Sequence, residues 1–163
     1  MIEWLLDRGA DPNGVYGGVD HCGHSLRLYV QMSDIDKPTK AARMLIERGA
    51  DVNASKALHM AAMKGMTEWV RMLVEEDHAD VDADDIDVED AFARHEEMGV
   101  GKALHYAAQN GDIAMATFLV RRGADLNCRD SNGWTAEQVA EWLGKDEVRA
   151  FLQQCQEKQE LEV

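Results

Sequence analysis

The stretch "ALHMAAMKG", Ala57 to Gly65, returns as "ALHYAAQNG", Ala103 to Gly111, in a chain of 163 residues. A second pattern, "RGAD", stands at Arg8 to Asp11, Arg48 to Asp51 and Arg122 to Asp125, followed by "PN", "VN" and "LN". "HADVD", His78 to Asp82, is a degenerate copy. Two motifs recurring in a fixed order mark a repeat architecture, in which each unit is too small to bury its own apolar face and stacking does it instead.

The residues between the motifs agree. Ala61-Ala62 and Ala107-Ala108 are small where one helix must approach its neighbour closely, and Gly65 and Gly111 can take the left-handed conformation that ends a helix. The following segments carry larger apolar residues at helical spacing, Trp69, Val70, Leu73 and Val74 in one and Ile113, Met115, Phe118 and Leu119 in the other.

Together the two motifs resemble the ankyrin repeat, whose unit is a β-turn finger, a helix opening with TPLH, a second helix and a loop ending in GADVN. The resemblance implies an all-α fold: an ankyrin-repeat solenoid of stacked helix pairs with short β-turn fingers, about four and a half repeats long. It also implies that His59 and His105 are structural, bonding the turns between repeats. Lys56-Ala57 and Lys102-Ala103 replace the threonine and proline of TPLH, so these helix starts are expected to be looser than the family norm.

A single domain over 1–160 is expected, with a half repeat at 1–22, repeats at 23–53 and 54–82, an acidic insert at 83–100, a repeat at 101–127 and a C-terminal capping repeat at 128–157. The family period is about 33 residues, whereas Gly9, Gly49, His78 and Gly123 lie 40, 29 and 45 apart. Insertions in a solenoid map to loops, commonly on the binding face. "GVYGGVDHCGH" and "QMSDIDKPTK", around Pro38, lengthen the first interval, and "VNASKALH" nearly omits a finger. The helix pair at the end is read as Thr135 to Leu143 and Lys145 to Gln156, with no functional weight on Leu161-Glu162-Val163. "MIEWLLDRGAD" supplies only the second helix of a repeat, so Ile2, Leu5 and Leu6 are expected to be partly uncovered and able to drive pairing with a second chain, a homodimer.

The net charge of −14 has a local origin, since Asp80 to Met98 carries nine carboxylates against Arg94 alone. Such acidity opposes binding to nucleic acid, which needs clustered Lys and Arg, and suits a basic protein or peptide. No run approaches the roughly 18 apolar residues that span a bilayer, so no membrane role is expected. Cys22, Cys128 and Cys155 are odd in number and widely spaced, which suits free thiols and a cytoplasmic or nuclear setting.

Asp80, Asp82 and Asp84 open like a calcium loop, but Asp85 occupies the turn-glycine position and Ala91 the place of the bidentate Glu. "DHCGH", Asp20 to His24, groups zinc-ligand types, yet adjacent residues rarely reach one ion together. Neither a metal nor a cofactor is expected. No nucleophile elbow or phosphate loop occurs, so catalysis is the lesser reading: a groove with His95, Glu96, Asp87, Tyr16 and Tyr29, covered by the insert, that could transfer protons or hold a small molecule. The main expectation is recognition of a protein or peptide on the concave face. The family's variable positions correspond to Gln31, Met32, Met63, Lys64, Gln109, Asn110, Ser131, Asn132 and Trp134, with Trp134 as chief anchor and Asp84, Asp85 and Asp87 adding charge.

Overall fold

The computed structural model describes residues 2–14, 25–32, 40–53, 56–83 and 101–161. Its helices are α1 (Ile2–Leu6), α2 (Ser25–Met32), α3 (Lys40–Glu47), α4 (Ala57–Met63), α5 (Thr67–Glu75), α6 (Ala103–Asn110), α7 (Ile113–Arg121), α8 (Ala136–Trp142) and α9 (Asp146–Leu161). No strand occurs among the described residues. The chain divides into two compact units, Met1–Asp80 and Val81–Val163.

In the first unit α2 packs on α3 and α4 on α5, while α2 also packs on α4 and α1 on α3. In the second, α6 packs on α7 and α8 on α9, while α6 packs on α8 and α7 on α9. Each unit therefore stacks hairpins with first helix on first helix and second on second. The alanines make the first contact close, as Ala57, Ala61, Ala62, Ala103, Ala107 and Ala108 are all fully buried. Trp69, Val70 and Leu73 on α5, and Met115 and Leu119 on α7, fill the layer beneath with no exposed surface. Each such side chain contributes about 1.5–3 kcal/mol by leaving water.

The recurring glycines end the helices. Gly123, at φ 93°, lets Ala124 N–H return to the Leu119 carbonyl at 3.1 Å, closing α7. Ala10 and Ala50 make the same bond to Leu5 and Leu45, at 3.1 and 2.9 Å. In the degenerate copy the glycine is His78, held at φ 56°, and Ala79 reaches back one residue further, to Leu73, at 2.8 Å. First helices close likewise: Met66, Asp112 and Lys145 N–H groups bond to Ala61, Ala107 and Ala140 at 2.9, 3.0 and 2.8 Å.

The polar residue after each GAD-type turn clamps the next turn. Asn13 Oδ1 accepts from Asp51 N–H at 2.7 Å, Asn53 Oδ1 from Asp80 N–H at 2.8 Å, and Asp82 from Asp125 N–H at 3.1 Å. Asp82 keeps the accepting half of the asparagine's role. It has no counterpart to the Asn13 Nδ2 bond that donates to the Gly49 carbonyl at 2.9 Å.

Two expectations on helix ends change. The final helix runs to Leu161 rather than stopping at Gln156, because Gln, Glu, Lys and Leu all propagate a helix well. The start of α6 is not loose, because His105 takes over the cap. Lys56, before α4, does lack a side-chain cap, and its backbone is left-handed at φ 55°. The interval around Pro38 and the acidic insert lie outside the described residues.

Candidate recognition surface

The best-built part of the surface begins at a buried histidine. His105, third residue of α6, is 1% exposed, and its Nδ1 accepts the Lys102 N–H at 3.1 Å. Accepting there places the ring proton on Nε2, which donates to the Trp134 carbonyl at 3.1 Å. Desolvation by burial holds His105 below the ordinary histidine value, outweighing the Trp134 carbonyl and nearby Asp130, which favour the charged form. The neutral ring thus ties the start of one repeat to the finger of the next. Gly101 is required beside it, since a Cβ would lie 2.7 Å from His105 Cγ.

That finger is held from several sides. Gly133 N–H donates to the Asp130 carbonyl at 2.9 Å, and Asp130 N–H to the Trp134 carbonyl at 2.9 Å. Buried Asp130 uses Oδ1 to accept from Asn132 and Trp134 N–H groups at 2.9 and 2.8 Å. Arg129 donates to the Gly133 carbonyl at 2.7 Å. Thr135 then caps α8, its hydroxyl accepting from Gln138 N–H at 3.3 Å while Gln138 Oε1 accepts from Thr135 N–H at 3.0 Å.

The Trp134 backbone is therefore fixed at both its N–H and its carbonyl. Its half-buried ring meets Trp142 edge to face, centroids 5.4 Å apart and planes at 69°. The partner is thus the last residue of α8, the helix that follows the finger. Trp142 stays 52% exposed. Trp142, the last residue of α8, is a contact residue that the repeat pattern does not mark, because Trp134 precedes the helix cap and no helical spacing relates the two.

The other expected contact residues fall in two sets. In the second unit, Gln109 is half-buried and Asn110 exposed at the end of α6, while Ser131 and Asn132 are exposed on the finger. In the first unit, Met63 is half-buried and Lys64 exposed, its ammonium 3.4 Å from the Val30 carbonyl. The side chains of Gln31 and Met32 lie outside the described residues, as do Asp84, Asp85, Asp87, His95, Glu96, Tyr16 and the stretch Asp20 to His24. Tyr29 is half-buried, its ring centroid 6.2 Å from that of Trp69. Among the described residues, no cluster of His, Cys, Asp or Glu is arranged to hold a metal ion. His59 is 3% exposed on α4.

At the N-terminal end, Trp4 and Leu5 are 56% and 42% exposed, with the Arg8 guanidinium 4.0 Å above the Trp4 ring. Leu6 is half-buried, and the Ile2 side chain lies outside the described residues.

Comparison with known protein families finds a match to ankyrin repeats over residues 28–130 and 86–161. The chain belongs to the ankyrin repeat family. Members of this family generally serve as protein-interaction modules. Similar curated proteins include potassium channel AKT1 of Oryza sativa subsp. indica, 40% identical over 31% of this chain and 5% of the channel. Alpha-latroinsectotoxin-Lt1a of Latrodectus tredecimguttatus is 26% identical over 94% of this chain and 10% of the toxin. Protein phosphatase 1 regulatory subunit 12A of Mus musculus is 39% identical over 36% of this chain and 6% of the subunit. This ankyrin repeat chain spans a tenth or less of the length of these relatives.

Proposed function

We propose that this ankyrin repeat chain recognises a protein or peptide with a basic surface, using finger tips and the ends of first helices, and has no catalysis of its own. The carrying observation is the division of labour along α6, α8 and the finger between them. His105, Asp130 and Thr135 are buried in holding the turns, while Asn110, Ser131, Asn132 and Trp142 face solvent on the same elements. A rigid scaffold that presents varied side chains at low ordering cost is suited to binding. The net charge of −14 adds attraction for a cationic partner and speeds its encounter. The matched phosphatase relative is by name a regulatory subunit, which accords with a role in recognition.

Among the described residues, no helix is long and apolar enough to cross a membrane. The odd, widely spaced Cys22, Cys128 and Cys155 support a cytoplasmic or nuclear setting. The uncovered Trp4 and Leu5 side chains support pairing of two chains at the N-terminal end, which sedimentation at rising concentration would test through Leu5→Glu.

Affinity capture tests the main reading. Three baits are compared: the full chain, a chain lacking residues 83–98, and one with Met63, Lys64, Gln109 and Asn110 changed to alanine. A common partner that is recovered by the first and depleted from the other two is expected. Equal recovery by all three would overturn the assignment.

A further inference from the structure

Trp142 is more than half exposed although its ring already rests on Trp134. The charges beside it do not balance. Glu137 and Glu141, on the helix that carries Trp142, share one cation, Arg149, at 3.8 and 3.0 Å, so two carboxylates stand against one guanidinium there. From Arg129 to Arg149 five carboxylates stand against three cations. An indole face attracts cations, and guanidinium suits it better than ammonium, being planar and weakly hydrated.

Among the described residues, Arg8 lies 4.0 Å over the Trp4 indole, and Arg122 makes the related contact 5.4 Å over the Phe118 ring. The surface is also prepared in advance: the Trp134 N–H is held by Asp130, and its carbonyl by Asp130 N–H and His105. Little ordering is then required when a partner arrives.

We propose that the Trp134–Trp142 face takes an arginine side chain of a basic peptide, the guanidinium lying on the Trp142 indole with Glu141 as its carboxylate. This rests on the recognition reading and adds to it the residue that the partner must present. Lysine, a compact and strongly hydrated charge, binds less tightly at such a face, and citrulline, which keeps the shape without the charge, does not bind.

The test follows the indole N–H signals of the four tryptophans by NMR while the full chain is titrated with short acetylated peptides. The peptides alternate glycine with arginine, with lysine or with citrulline. The arginine peptide is expected to shift the Trp142 and Trp134 signals saturably and leave Trp4 unmoved, with lysine several-fold weaker and citrulline silent. Glu141→Gln, which retains the fold, should weaken the arginine peptide about two- to fivefold. Trp142→Phe should weaken it while leaving the backbone spectrum intact. Motionless Trp142 and Trp134 signals, an equal response to citrulline, or a preference for lysine would overturn the proposal. Backbone amide shifts confined to residues 84–97, followed in the same titration, would refute this face yet support charge-led recognition, whereas loss of the capture result would sink the broader reading.

Discussion

Helix pair α4/α5 and helix pair α6/α7 grow from the same nine-residue pattern and bury the same positions, yet their ends are made differently. In the second pair His105 caps α6, Asp112 Oδ1 caps α7 by accepting from Met115 N–H at 2.9 Å, and Gly123 closes it. In the first pair Lys56 and Met66 give no side-chain cap, and His78 occupies the left-handed closing position. The shared interior specifies the fold, while the termini differ enough that the first pair should have the softer ends.

Removing the best terminus should have the largest effect. His105→Ala strands the Lys102 N–H, takes one of two donors from the Trp134 carbonyl and leaves a cavity where the buried ring stood, so urea unfolding should show a loss of about 2–4 kcal/mol. Asp112→Ala removes an ordinary N-cap and should cost about 1 kcal/mol, a difference visible in the unfolding midpoint. His78→Gly moves the other way. It relieves a left-handed non-glycine residue, and a gain of about 0.5–1 kcal/mol is expected, less than the strain itself because glycine also frees the unfolded chain.

The smallest effect is on pH dependence. His105 in the folded chain binds its proton less readily than in the unfolded chain. Its contribution is therefore complete above about pH 6.5 and declines as pH falls through the window below, where the unfolded chain takes up a proton and the folded chain does not. His105→Ala should have a shallower fall in unfolding midpoint between about pH 6.5 and pH 5.5 than the parent. An unchanged slope would mean that the ring is not held neutral.

Much of the fold could be read from residues alone, because Ala61-Ala62, Leu73, Gly111 and Gly123 act through size and backbone freedom, which are properties of residue type. The structural role of His105 followed from family resemblance and is borne out by both ring nitrogens. What stayed hidden depends on contacts that no local pattern encodes. The Asn13, Asn53 and Asp82 clamps bridge 38, 27 and 43 residues. The Trp134–Trp142 contact depends on side-chain direction at both ends of α8, and the left-handed Lys56 is a position where residue type argues for the opposite conformation. The extension of α9 to Leu161 is legible in its helix-forming composition.

The division between buried holders and exposed readers is tested most directly by calorimetric titration of the captured partner against the parent chain and Trp142→Ser. An exposed aromatic anchor predicts at least about a tenfold loss of affinity, in the range of a binding hot spot, with the melting temperature nearly unchanged. Equal affinity of the two chains for that partner would contradict it.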